Sequence, residues 1–102
     1  MVIVRVTYIA KPEFAEQNQK NIQQVMADLR SMGSPGINYH CCLGADGKTF
    51  THSSFFKSDE DRKTLNGLAS FIYFQEQLKQ AGFESPPKSE LLTLVGSSTD
   101  IF

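Results

Sequence analysis

The chain lacks an excess of charge of either sign, a long apolar run and a cysteine framework, and each absence removes a class of function. Ten basic residues against eleven acidic ones leave a formal net charge of -1 over 102 residues, so no positive field is available to hold a phosphate backbone. The longest charged run, Asp59-Glu60-Asp61-Arg62-Lys63, mixes signs. No nucleic-acid partner is expected. No apolar stretch approaches the roughly 20 residues needed to cross a bilayer, and Met1-Val2-Ile3-Val4-Arg5-Val6 has neither a basic leader nor a long apolar core. The expectation is a cytoplasmic protein with no membrane contact. Cys41 and Cys42 are adjacent in a predicted strand, so their side chains point to opposite faces and cannot bond to each other without local distortion. Neither a CxxC spacing nor a cluster of His, Cys and carboxylates is present, and no metal site is expected. The length allows one domain, residues 1–102, with room for one core but not for a core plus a separate cofactor domain.

What is present is a hairpin. Two alternating runs within Ile37 to Phe56 flank Ala45-Asp46-Gly47-Lys48, and an Asp-Gly step between such runs signals a tight β-turn. If Gly44 pairs with Thr49, Cys41 stands opposite His52 and His40 opposite Ser53, on opposite faces of the sheet. Strand parity then puts Tyr39, Cys41, Leu43, Phe50, His52, Ser54 and Phe56 on one face, and Asn38, His40, Cys42, Thr51, Ser53 and Phe55 on the other.

Upstream, Val2 to Ala10 is rich in β-branched residues and reads as a first strand, with Val2, Val4, Val6 and Tyr8 on one side and Ile3, Arg5, Thr7 and Ile9 on the other. Pro12 suits a first helical turn, and Phe14, Ile22, Val25, Met26, Leu29 and Met32 follow helical spacing until Gly33 stops the run. A second helix is predicted after the N-cap Ser58. Its stripe is Leu65, Leu68, Ala69 and Ile72, widened by Phe71, Phe74, Leu78 and Ala81, with a bend or two abutting helices at Asn66-Gly67. Glu84 to Glu90, containing Pro86-Pro87, reads as a surface loop before a last strand over Leu91 to Gly96 and a polar tail.

The order βαββαβ specifies an α+β ferredoxin-like sandwich, a four-stranded antiparallel sheet with two helices on one face. The first strand carries apolar groups on both sides, so the helix-free face is expected to pair with a second copy, giving a homodimer sheet to sheet. His40 and Asn38 would then be interfacial, and protonation of His40 in mild acid would weaken the pair.

His52 is the residue of most chemical interest. It is either a half-buried neutral imidazole satisfied by a serine or backbone group, or a polar contact in a pocket walled by Tyr39, Phe50, Phe56, Phe71 and Phe74. Cys41 opposite His52 lacks an orienting acid and a helix terminus to lower its pKa, which argues against a nucleophilic cysteine. Arg5, alone in an apolar strand, is either an interface ion-pair member or a cation for an anionic ligand.

Gly36-Ile37-Asn38-Tyr39 entering the hairpin, Phe50 followed by Ser54, Phe56 and Ser58, and the aromatics Phe71 and Phe74 resemble the pattern of the dimeric α+β barrel superfamily, in particular the antibiotic biosynthesis monooxygenase-like domain. The resemblance spans nearly the whole chain. It implies a homodimer with a pocket between each sheet and its helices; some members oxidise polycyclic aromatic substrates with molecular oxygen and no prosthetic group, and others bind haem. In this chain the acid of the hairpin pattern is Ser54, its tryptophan is Phe56, and the histidine early in the second helix is Leu65 or Asn66, which argues against haem.

Two functions are therefore weighed. One is a cofactor-free monooxygenase-like enzyme, an oxygenase or isomerase, for a small aromatic or polyketide-like molecule, with His52 or Tyr39 as the catalytic residue assisting proton removal from a phenol or enol. Its ligand contacts would come from Arg5, Cys41, Phe50, Ser54, Phe56, Phe71 and Phe74. The other is a noncatalytic dimer that binds an apolar ligand such as a fatty acid, with Arg5 or His52 meeting the carboxylate. A third, RNA recognition on the same topology, fails because Lys48-Thr49-Phe50-Thr51-His52 lacks the basic, glycine-aromatic signature.

Overall fold

The hairpin forms in the expected register. In a computed structural model, which describes all 102 residues, strands β2 (Ile37–Leu43) and β3 (Thr49–Phe56) pair antiparallel with Cys41 across from His52 and His40 across from Ser53. Gly44 N–H donates to the Thr49 carbonyl at 2.7 Å. Asp46 closes the turn, accepting from the backbone N–H groups of Lys48 and Thr49 and from the Thr49 hydroxyl. Those bonds, the Thr49 hydroxyl first, hold its carboxyl down to about 2.

Strand β1 (Val2–Ala10) lies between β3 and β4 (Phe83–Leu92), giving an antiparallel sheet in the order β2-β3-β1-β4. Three helices join the strands: α1 (Pro12–Met32), α2 (Asp59–Asn66) and α3 (Ala69–Ala81). This is the βαββαβ ferredoxin-like sandwich, with the second helix broken in two. The break falls at Asn66-Gly67, where Gly67 caps α2 by donating to Lys63 O and Leu68 starts α3. Helix α1 ends where Gly33 takes φ 61°, a left-handed cap that a side chain would strain, and its N–H reaches Leu29 O and Arg30 O.

Two expectations need correction. The segment Glu84 to Glu90 is not a loop but part of β4, which ends at Leu92 rather than Gly96. Pairing with Thr7, Ile9 and Ala10 of β1 recruits it, and the register shifts at Ile9 place Pro86-Pro87 in an irregular stretch. Being an edge strand, β4 tolerates two residues that donate no N–H. The apolar stripe of the second helix is also rephased by the break: Leu65, Phe71, Phe74 and Leu78 are buried, whereas Ile72 and Tyr73 face solvent. Met32, at the end of α1, is exposed too.

The core lies between the helices and one sheet face, built from Tyr8, Phe50 and Phe56 of the strands, Ile22 and Val25 of α1, and Leu65, Phe71, Phe74 and Leu78 above. On the other face, Ile3 is buried. Asn38 donates from Nδ2 to the Ile101 carbonyl at 2.7 Å, so the tail that leaves β4 at one edge of the sheet finishes at β2, the opposite edge. No helix is long and apolar enough to cross a membrane.

Candidate functional site

The strand register brings three polar rings together under the helices. His52 sits on β3, flanked on one side by β1, where its direct partner is Val6, and on the other by β2, where its partner is Cys41. Its diagonal neighbours two residues along are Tyr8 on β1 and Tyr39 on β2, both on the same face. The hydroxyl of Tyr8 lies 2.9 Å from His52 Nε2, and that of Tyr39 lies 2.6 Å from Nδ1. From above, Asn18 on α1 donates from Nδ2 to the Tyr8 hydroxyl at 2.8 Å. The result is an unbranched chain, Asn18–Tyr8–His52–Tyr39, in which Asn18 is 0 % and His52 4 % exposed.

The surroundings keep this chain uncharged. Burial pushes the His52 imidazole down to about 4, so at neutral pH it holds a single N–H. Burial first, and the nearby Cys41 next, raise the Tyr39 hydroxyl well above the usual phenol range; burial likewise raises Tyr8, against the lowering bond from Asn18. Both tyrosines therefore remain protonated donors. The rings also pack face to face, with Tyr8 and His52 centroids 5.3 Å apart and Tyr39 and His52 5.8 Å apart, while Phe74 sits 5.5 Å from His52 on the helix side.

Beside this chain is a cavity of about 330 Å³ between the sheet and helices α2 and α3. Val4, Val6, Phe56, Leu65, Phe71, Phe74, Leu78 and Phe83 form its apolar wall, Tyr8, Tyr39, His52 and Ser54 its polar end, and Arg62, Asn66, Gln75 and Lys79 its exposed rim. No acidic residue lines it, and neither Arg62 nor Lys79 is in a salt bridge. Such a space suits a small apolar molecule carrying an oxygen that the polar end can reach.

Of the residues singled out from sequence, Tyr39, His52, Ser54, Phe56, Phe71 and Phe74 converge on the cavity. Phe50 is buried beneath Tyr8, with ring centroids 5.4 Å apart, and does not line it. Arg5 projects from the opposite face of the sheet, where it pairs with Glu90 at 3.3 Å. Cys41 stands across from His52 but outside the cavity wall. Burial, then the neighbouring Cys42, push its thiol up to about 12, and both His52 nitrogens are engaged by tyrosines, so no thiolate-imidazole pair forms.

Tyr8 and Asn18 were missed as site residues although each left a signal. Tyr8 shares the parity of Val2, Val4 and Val6, and Asn18 falls midway between Phe14 and Ile22 at four-residue spacing, a polar residue inside an apolar stripe. The rim cations Arg62 and Lys79 gave no comparable signal. No group of His, Cys, Asp and Glu converges as a metal ligand set, and of the positions weighed for a haem-ligating histidine, Leu65 is buried core and Asn66 lies at the rim.

No family model matches the chain, and no curated protein does. Solved structures do. Rv0793 from Mycobacterium tuberculosis superposes with a TM-score of 0.78 at 14% identity, covering 96% of this chain and 98% of its own. A protein from Nitrosomonas europaea named as a candidate antibiotic biosynthesis monooxygenase gives 0.79 at 15% identity, covering 94% and 100%. A protein from Caulobacter crescentus named in the same way gives 0.77 at 18%, covering 93% and 90%. The chain has the ferredoxin-like fold that these structures share.

Proposed function

We propose that this protein is a monooxygenase-like enzyme that needs no cofactor and acts on a small aromatic or polyketide-like molecule held between the sheet and helices α2 and α3. The observation that carries this reading is the neutral Tyr8–His52–Tyr39 array at the polar end of an otherwise apolar cavity. A substrate oxygen placed there meets the Tyr39 hydroxyl, which the neutral His52 backs through the 2.6 Å bond to Nδ1. Both His52 nitrogens are held by tyrosines, so His52 acts through Tyr39, whose hydroxyl stabilises the charge that develops on the substrate oxygen as an acidic C–H or O–H beside it gives up its proton to solvent. The resulting carbanion is then the reductant for molecular oxygen: one oxygen atom bonds to the deprotonated carbon as a carbonyl, and the other leaves as water with the two hydrogens that carbon has lost. The fold likeness to structures named as monooxygenases supports this class of activity.

The active unit in this reading is a cytoplasmic homodimer joined through the helix-free face, with each cavity complete within one chain. A sedimentation experiment giving only protomer mass at micromolar concentration would remove the dimer from the proposal.

The test is oxygen consumption with anthrone, an enolisable aromatic ketone, above its uncatalysed rate. Turnover lost by at least about a hundredfold in His52→Ala and Tyr39→Phe supports the enzyme. Equal turnover in the variants would remove the array from the chemistry.

A second reading has its own observation, the unpaired Arg62 and Lys79 at the rim of a cavity without acids. They suit the carboxylate of a bound fatty acid better than Arg5 does, and the protein would then store rather than transform its ligand. Native mass spectrometry showing a copurified fatty acid, with no oxygen uptake, would favour it.

A further inference from the structure

The chain of hydrogen bonds that ends at the cavity has a direction, and the residue that sets it lies at the far end. Asn18 Nδ2 donates to the Tyr8 oxygen. Turning the amide over would aim its oxygen at Tyr8 and leave both N–H groups buried without an acceptor; as it stands, one N–H is bonded to Tyr8, and the unpaired acceptor, Oδ1, is a less costly group to leave so than a second N–H. One turn along the same helix, the buried Asn21 holds the complementary unpaired donor, Nδ2, while its oxygen accepts from Gln17.

From that fixed end the rest follows by counting protons. Tyr8 has one, and with a donor already on its oxygen the only acceptor in reach is His52 Nε2, 2.9 Å away. The neutral imidazole must then carry its proton on Nδ1, which donates to the Tyr39 oxygen at 2.6 Å. The Tyr39 proton is left over, on a half-buried hydroxyl of the cavity wall with no other protein partner. The reverse arrangement, with Nε2–H donating to Tyr8 and Tyr39 donating to Nδ1, would leave the Tyr8 proton without an acceptor in the core. The two states differ in where the spare proton sits, and only the first places it beside the cavity.

We propose that Asn18 is a positioning residue that polarises the chain, so that Tyr39 offers the cavity a hydrogen-bond donor and the site selects ligands with a carbonyl acceptor over hydroxyl donors. The ligand class is therefore an apolar ketone or enolisable carbonyl compound. This selection rests on the reading that the cavity holds the ligand; the direction of the chain in the free protein does not.

Both parts are tested together on the full chain. Protein labelled with 15N-histidine gives the His52 tautomer from long-range proton–nitrogen correlations at pH 7.5. The wild type should show the Nδ1–H form. Asn18→Leu should move the tautomer ratio at least about fivefold toward Nε2–H, and so should Tyr8→Phe, which removes the donor to Nε2 without touching α1. A wild-type Nε2–H form, or a ratio unmoved in both variants, overturns the proposal even if Asn18→Leu folds poorly. Binding is then compared for 1-tetralone, which can only accept, and 1-naphthol. Wild type should prefer the ketone roughly tenfold, and the preference should shrink to less than about threefold in Asn18→Leu. An Nδ1–H tautomer with neither probe bound would overturn the cavity as the ligand site, and with naphthol preferred it would overturn the selection alone.

Discussion

The hairpin of β2 and β3 carries two histidines and two cysteines, one of each on either face of the sheet, and the two faces treat them differently. His52, under the helices, is pushed down to about 4 and is held by two tyrosines; His40, on the other face, is exposed and lies edge-on to Phe55 with ring centroids 6.2 Å apart. Cys41, on the covered face, has its thiol pushed up to about 12, whereas Cys42 is exposed. Residue type is the same in each pair, and strand alternation sets the members on opposite faces, Cys41 and Cys42 as neighbours on β2 and His40 one register step from His52. Chemistry on this sheet is therefore set by what lies above each side chain.

The largest contrast should come from adjacent residues of β3. Phe50→Ala empties a site that is 1 % exposed, and urea denaturation should register a loss of about 3–5 kcal/mol. Thr51→Ala, one residue on and facing away, should stay within about 0.5 kcal/mol. Comparable losses would mean that the two faces are equally packed, as a tight dimer would make them.

His52 should leave its mark on how stability varies with pH. Above pH 6.5 neither the folded nor the unfolded chain holds a proton on residue 52, and the stability associated with it is complete. As pH falls from 6.5 toward 4 the unfolded chain takes up a proton that the fold refuses, so stability is lost, by up to about 3 kcal/mol. Denaturation curves for His52→Gln should lack that component, and those for His40→Gln should retain it.

Thiol labelling sharpens the comparison further. At pH 8 iodoacetamide should modify Cys42 at least about a hundredfold faster than Cys41, read by peptide mass spectrometry, because the thiolate is the reacting form. Protection of both would report a covered outer face. The smallest effect belongs to Arg5→Ala: its pairing with Glu90 is exposed and should contribute less than about 1 kcal/mol.

The sheet and its register were legible because the signals are local and periodic. Asp46-Gly47 sets the turn, Gly44 and Thr49 set the pairing, and alternation does the rest, so the opposition of Cys41 and His52 follows from residues alone. The site was half legible. Parity places Tyr39, His52, Ser54 and Phe56 on one face, but which strand flanks His52 on its other side depends on β1 inserting between β3 and β4, a tertiary event with no local mark. Tyr8 was hidden for that reason, and Asn18 because its partner lies on another element. The same limit explains β4: Pro86-Pro87 argues for a loop when read along the chain, and only the neighbouring β1 makes a strand of it.

That proline pair has a consequence for how molecules of this protein can meet. An edge that cannot donate at two successive positions, and is bent by a change of register beside them, is a poor template for another extended chain. Runaway stacking into fibrils or ribbons is therefore disfavoured on the β4 side around Pro86-Pro87, which leaves the proline-free β2 as the margin where the layer lengthens more readily.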